Sequence, residues 1–383
     1  MENKRKTIYL AGFIFSLSLA LISYINSSFI ASFIDEKLVG TIYAIGSIVT
    51  ILSLLVMPKV FRKIGVSRFL LWAIGIDALS ILLFAFSTNA LSAIVMFVLI
   101  FTLDILIYSS LDELLKISSR ESTTGKTRGS YLGFSNLAWI IAQLALGTIW
   151  GGFTIKTIYL TSCVIMLIFF IISYLKLKDT SDPKYDRTGT KRYIREFFKR
   201  INLFRIYIIN ILLQFFYAWM VIYTPIYLYS HLGFSWKEIS IIFAIMLLPF
   251  VILDFPLGKL GDKIRERKIL MFGFAIASLS TMSLFFIHEH KVWVWALLLF
   301  MTRVGAASIE VMSDSYFFKH IKPENEEFIG IYRSSSPIAY IIGPLFAFLV
   351  FLLVPSFNYI YLILGAIMLF GFYLSSTIKK SDI

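Results

Sequence analysis

The chain has 383 residues, 58% of them hydrophobic and 15% charged, and carries a formal net charge of +13. Its mean hydropathy is +0.81. A soluble domain carries about 25% charged and about 45–50% apolar residues, so these values exclude a water-soluble core and point to a polytopic membrane protein.

Twelve apolar segments follow one another, at residues 8–33, 38–58, 68–87, 91–115, 129–150, 155–175, 203–229, 236–257, 268–287, 292–318, 329–353 and 357–378. About 20 apolar residues, rising about 1.5 Å each, cross a hydrocarbon layer about 30 Å thick, and all twelve are long enough. Backbone polar groups in lipid must be satisfied within the segment, and none of the twelve alternates as a barrel strand does, so helices are expected throughout.

The first segment follows a basic start, "MENKRK". Its apolar run of about 25 residues exceeds the roughly 7–15 of a secretory signal core, and no small-residue cleavage site follows, so it is expected to remain as the first span. It offers Tyr24, Asn26, Ser27 and Ser28 as polar groups. The third segment carries Asp77, and the fourth carries Thr102, Asp104, Tyr108 and Asp112. The fifth has the small-residue spacings Gly129-x-x-x-Gly133 and Ala138-x-x-x-Ala142, which permit close helix crossing. The sixth holds the one cysteine, Cys163, which excludes an intramolecular disulfide and reads as a small packing residue.

Residues 176–202 are the longest hydrophilic stretch and divide the chain into residues 1–175 and 203–383, six spans each. Within that linker, residues 191–200 read either as a basic amphipathic helix at the inner membrane surface or as solvated chain. The seventh span carries Asn210, Gln214, Tyr217, Trp219 and Tyr223, with Pro225 expected to break the helix near its outer end. Asp254 stands late in the eighth. The run Gly258-Lys-Leu-Gly-Asp-Lys-Ile-Arg-Glu-Arg-Lys268 then places seven charges in eleven residues between two spans. In the next loop His288-Glu-His290 is too short a cluster to hold a metal, and no motif calls for a cofactor or a catalytic role. The tenth span carries Arg303, Glu310 and Asp314, and the eleventh Gly343-x-x-x-Ala347.

Lysine and arginine set the orientation. Of the 36, Lys37, Lys156, Lys237 and Lys291 lie in the loops of one side, Arg303 lies inside a span, and the other 31 lie on the opposite side or at its boundary. The positive side is cytoplasmic. Both termini are then cytoplasmic, in a multi-pass protein of the cell membrane. The net charge is thus a topological signal, which excludes a nucleic-acid partner.

An ionised residue at the bilayer centre costs roughly 2.5–3.5 kcal/mol, so three facing lipid would cost about 8–10 kcal/mol, comparable with the stability of a whole domain. The buried charges should therefore face water or one another. Arg303 and Glu310 are seven apart and share a helix face, with Asp314 about 40° further round. Two readings stay open for them: a charge pair of Arg303 with Asp104 or Glu310 that takes a polar substrate group or a proton, or a static pair between helices.

The two halves repeat. An offset of 200 lays Ile42, Ala44, Ile45 and Lys63 on Ile242, Ala244, Ile245 and Lys263. An offset of 201 lays Gly129, Tyr131, Ser135, Ala138, Ile140 and Ile141 on Gly330, Tyr332, Ser336, Ala339, Ile341 and Ile342. With a charged loop after the second span of each half, this pattern resembles the major facilitator superfamily, whose loop signature is Gly-x-x-x-Asp-Arg/Lys-x-Gly-Arg/Lys-Arg/Lys. The second half matches it at Gly258, Asp262, Lys263 and Arg267, with Arg265 and Glu266 as departures. The first half keeps Lys63 and Gly65, with Pro58 and Arg62 where Gly and Asp stand in the signature.

The resemblance implies an all-α membrane protein of twelve helices in two pseudo-symmetric six-helix bundles, working as a secondary transporter by alternating access. It implies a cavity lined by the first, fourth, seventh and tenth spans. The residues expected there are Asn26, Asp104, Gln214, Tyr223, Arg303 and Glu310. Gly258, Asp262, Lys263, Arg267, Lys63, Gly65 and Asp254 are expected at the cytoplasmic gate. Asp77 lies in a span that the family uses as support. Drug–proton antiporters of this family carry Gly-Pro in the fifth span; here Gly343-Pro344 stands in the eleventh, which weighs against that subclass. The expected partners are a small-molecule substrate, the lipid bilayer and protons, and the chain is expected to act as a monomer. The rival reading is a receptor or lipid flippase built on the same fold; a membrane enzyme is the more distant one.

Overall fold

The structure, a computed structural model, describes residues 2–118, 124–148, 154–178, 190–253, 256–257, 266–320 and 327–378. These residues contain helices and turns and no strand. In chain order the helices are α1 (Glu2–Ser23), α2 (Asn26–Ala31), α3 (Val39–Ile64), α4 (Val66–Ala85), α5 (Ala90–Ser118), α6 (Thr124–Thr148), α7 (Ile155–Leu177) and α8 (Thr190–Lys199). They continue as α9 (Ile201–Ile226), α10 (Trp236–Ile252), α11 (Glu266–Leu284), α12 (Val292–Lys319), α13 (Glu327–Arg333), α14 (Ser335–Leu353) and α15 (Tyr359–Ser376).

Each of the twelve expected segments is helical over most of its described residues. Nine of the described helices are long and apolar enough to cross a membrane by length and composition. The other three segments lie on α6, α10 and α11. Local signals set the ends. Gly65 alone separates α3 from α4 at φ 85°, a backbone region open to glycine, and its N–H closes α3 by donating to Phe61 O at 2.8 Å. Ser235 and Glu238 form a capping box at the start of α10: the Ser235 N–H donates to Glu238 Oε2 at 2.8 Å, and the Glu238 N–H returns to Ser235 Oγ at 3.4 Å.

The chain divides into two compact units, Met1–Asp186 with Ser235–Ser240, and Arg187–Phe234 with Ile241–Ile383. In the first, α1 packs against α5, α6 and α7, and α4 packs against α5 and α7. In the second, α9 packs against α12, α14 and α15, and α11 packs against α12 and α15. These five pairings of one unit recur in the other, while the packing of α3 on α5 has no counterpart for α10 among the described residues; the repeat read from the sequence thus has a partial physical counterpart. Its mates Tyr131 and Tyr332 are both buried, and Tyr332 stacks on Phe317 with ring centres 4.1 Å apart.

Two local expectations change. Pro225 does not break the seventh span: α9 runs through it and continues as a π-turn, Tyr227–His231, in which the Leu232 N–H reaches Tyr227 O at 3.1 Å. The π-turn widens the chain one turn after the proline, where a straight continuation would otherwise run. The crossing expected at Gly133 is absent, since a Cβ placed there meets nothing within 4 Å. The tight crossing lies instead between α11 and α12, where a Cβ on Gly305 would sit 2.5 Å from both Ala277 N and Gly273 O. Finally, of the two readings left open for residues 191–200 the helical one describes α8, which buries Phe197 in protein, against Tyr207 of α9 and Phe328 of α13, with ring centres 5.7 and 5.3 Å apart.

Candidate functional site in the second unit

α12 holds Arg303 eleven residues after its first residue, Val292, and leaves it only 2% exposed. A guanidinium so enclosed needs compensation. Two aromatic rings of α9 provide part of it: the guanidinium carbon lies 5.2 Å from the ring centre of Phe216 and 5.3 Å from that of Tyr217. Nε and Nη1 of Arg303 have no hydrogen-bond partner among the described residues. Three N–H groups on these two nitrogens thus remain open in a place where burial makes them strong donors.

Tyr217 also reaches the second charge. Its hydroxyl donates to Glu310 Oε2 at 2.6 Å, a charge-assisted distance. One side chain therefore presents its ring to Arg303 and its hydroxyl to Glu310, linking two residues that lie two turns apart on α12. Glu310 stands in the electrostatic field of Arg303, Asp314 and Arg333. Asp314 is tied to Arg333 of α13, Oδ2 to Nη2 at 3.4 Å. The α12 stripe is a graded set: an enclosed cation, a half-buried acid, then an acid paired near the helix end.

α9 presents Asn210, Gln214 and Tyr217 at positions i, i+4 and i+7, one face of the helix. Asn210 Nδ2 donates to Ser335 Oγ at 2.9 Å and holds α9 to α14; Gln214, between the two, is half-buried. Trp219 Nε1 donates to Gly343 O at 2.7 Å, close to where a Cβ on Gly343 would touch its ring at 3.3 Å. Tyr223 is fully enclosed, edge-on to Trp219, Phe351 and Phe357. In this conformation it is packing.

The remaining expected residues belong to the first unit. Asp104 is half-buried on α5. Asn26 opens α2 after the break at Tyr24–Ile25, and its Oδ1 accepts the Tyr159 hydroxyl of α7 at 2.8 Å. Polar groups deep in this unit mostly tie helices together. Ser18 and Ser162 pair at 2.7 Å, and Gln143 Nε2 donates to Ala20 O at 2.9 Å. Of the loop residues, Lys63 is exposed on the last turn of α3 and Gly65 makes the α3–α4 turn. Arg267 is exposed on the first turn of α11. Gly258, Asp262, Lys263 and Asp254 lie outside the described residues.

Two features had no signal in the sequence reading. Glu266, a departure from the loop signature, pairs with Lys319 at the far end of α12, Oε1 to Nζ at 2.9 Å. The Gly273–Gly305 crossing joins isolated glycines of two helices, and no single-segment spacing marks it.

The profile of the Major Facilitator Superfamily matches residues 8–247 and again residues 222–380. Among solved structures, that of the nucleoside transporter NupG aligns with a TM-score of 0.78 at 12% identity, covering 99% of this chain and 100% of that one. An auto-inhibited POT family peptide transporter aligns with a TM-score of 0.77 at 11% identity, covering 99% and 98%. The POT family transporter PepTSo aligns at 0.73 with 12% identity, covering 99% and 98%. At these identities the likeness is one of fold. No curated protein matches this sequence. On the strength of the profile match over both halves, the chain belongs to the Major Facilitator Superfamily.

Proposed function

We propose that this protein is a secondary active transporter that moves a small polar solute across the cell membrane by alternating access, coupled to protons. The observation that carries the reading is the Arg303–Tyr217–Glu310 arrangement: a buried guanidinium with open N–H groups, and an acid held by a hydroxyl, in helices otherwise built for lipid. A purely structural buried cation is normally paired and fully hydrogen-bonded. Arg303 anchors a polar group of the solute. Glu310 takes and releases the coupling proton, with Tyr217 holding its orientation between steps. Gln214 extends the same face of α9, and Asn26, Asp104 and Tyr223 are the further residues assigned to solute or proton. The cytoplasmic gate is formed by the charged loops, through Lys63 and Gly65 in the first half and Asp254, Gly258, Asp262, Lys263 and Arg267 in the second. Both termini are cytoplasmic, and the protein acts as a monomer.

Family membership supports transport as the class. The nucleoside and peptide transporters of the same fold suggest the first solutes to try. The test is a thermal-shift screen of the purified protein against nucleosides, dipeptides and monosaccharides, followed by exchange of the best labelled hit in proteoliposomes. A hit should stabilise the wild type and lose that effect in Arg303→Met, which keeps an unbranched apolar stem and removes the donors. Saturable stabilisation that survives in Arg303→Met would remove Arg303 from the solute site. No flux above protein-free vesicles for any solute would favour the receptor or flippase reading.

A further inference from the structure

Asp77 is the deepest acid of the first unit. It lies in the middle of α4, is 0% exposed, and neither carboxyl oxygen has a hydrogen-bond partner among the described residues. Among the described residues no cation is paired with it. The groups that act on it electrostatically are Asp104 of α5 and the Cys163 thiol of α7. Cys163 itself donates to Ala78 O at 3.4 Å, next to Asp77 along α4. The cation of α4 is Arg68, nine residues and about 13 Å along the axis from Asp77. That of α5 is Lys116, twelve residues from Asp104, with Asp112 and Glu113 between them. Those of α3, Lys59, Arg62 and Lys63, sit at its Gly65 end, the same end as Arg68. Lys176 closes α7, and Lys156, at the other end of α7, lies over the Phe86 ring at 3.7 Å.

The internal repeat shows what this place is in the other unit. The offset of 200 carries Asp77 onto Ala277, and the offset of 201 carries Asp104 onto Gly305. In the second unit these two positions face one another across the α11–α12 crossing, where a Cβ on Gly305 would stand 2.8 Å from Ala277 Cβ. The corresponding α4–α5 crossing therefore holds two acids where its mate holds the smallest residues available. Packing asks for small side chains at a crossing. Two carboxyl groups in that position are there for another reason.

An enclosed carboxylate without donor or counter-ion is strongly disfavoured, and a hydrated ion or a metal needs room and several ligands. A proton needs neither. We propose that Asp77 holds a proton inside the first unit, and that Asp104, half-buried on the neighbouring helix, is the acid through which this proton exchanges with water. The proton passes from the Asp77 carboxylic acid to the Asp104 carboxylate, leaving Asp77 ionised and Asp104 protonated. Asp104 then releases it to water, and the charge of the pair changes by one in that second step. Asp77 has no part in the proposed function, and only Asp104 is shared with it.

The test is infrared spectroscopy of the full chain in lipid vesicles, following the carboxylic C=O stretch and its shift on transfer to deuterated water. The wild type should show a carboxylic band that Asp77→Asn removes. Asp104→Asn should keep that band and slow its deuterium exchange at least tenfold. A spectrum of Asp77→Asn with the same carboxylic band as the wild type would overturn the proposal. So would an unchanged exchange rate in Asp104→Asn, which would remove Asp104 from the path. Should Asp77→Asn fail to elute as a folded species, the Asp104→Asn arm decides: loss of the slowly exchanging band there contradicts the assignment to Asp77.

Discussion

Tyr217 is the residue on which the second unit's charges converge, because one ring can meet a cation with its face and an acid with its hydroxyl. Those two contacts separate by substitution. Tyr217→Phe keeps the ring against Arg303 and removes the donor to Glu310. It should lower stability by about 1–2 kcal/mol, as expected for a hydrogen bond to a charged group in a half-buried place. Tyr217→Ala removes both contacts and should lose about 0.5–2 kcal/mol more from the cation–π term. Chemical unfolding in detergent measures both, and equal losses for Phe and Ala would mean that the ring contributes nothing. At this scale the sequence was a partial guide. The seven-residue spacing of Arg303 and Glu310 shows that they share a face, but only the three-dimensional packing of α9 shows that Tyr217 connects them. Asn26 read in sequence as an open polar group, and the fold ties its oxygen to Tyr159. Periodicity gives the face on which a side chain stands and says nothing of the partner from another helix.

Helix crossings carry the next level. A Cβ on Gly305 would meet backbone atoms of α11, which cannot move aside as a side chain can. Gly305→Ala should therefore destabilise the second unit by about 1–3 kcal/mol through overpacking. Gly133→Ala adds a methyl to open space and should change stability by less than about 0.5 kcal/mol, or raise it slightly through helix propensity. Gly65→Ala should cost about 1 kcal/mol or more, because the α3–α4 turn holds φ at 85°. Unfolding midpoints of the three variants rank these predictions, and a Gly133→Ala loss as large as that of Gly305→Ala would contradict them. The helices themselves were legible, since hydropathy over about 20 residues is an additive property of one segment. The crossing was not, because Gly273 and Gly305 become a pair only when two distant segments meet. The π-turn after Pro225 was hidden for a similar reason: a proline announces a lost donor, and the course of the chain after it depends on what packs around it.

At the scale of the molecule, the duplicated pattern is what made the family readable. Two nearly equal offsets in sequence go with recurring pairings of the other long helices inside each unit, and the family profile matches both halves. Duplication also makes departures informative, as at Asp77 and Asp104 against Ala277 and Gly305. In the proposed function, the charges sunk in this apolar chain move a solute and a proton together. The most direct measurement is solute accumulation in proteoliposomes under an imposed pH gradient, comparing the wild type with Glu310→Gln. The wild type should accumulate solute above equilibrium and stop when the gradient is collapsed. Glu310→Gln should only equilibrate it, at normal expression and with no response to the gradient. Gradient-driven accumulation that persists unchanged in Glu310→Gln would contradict the role given to that acid.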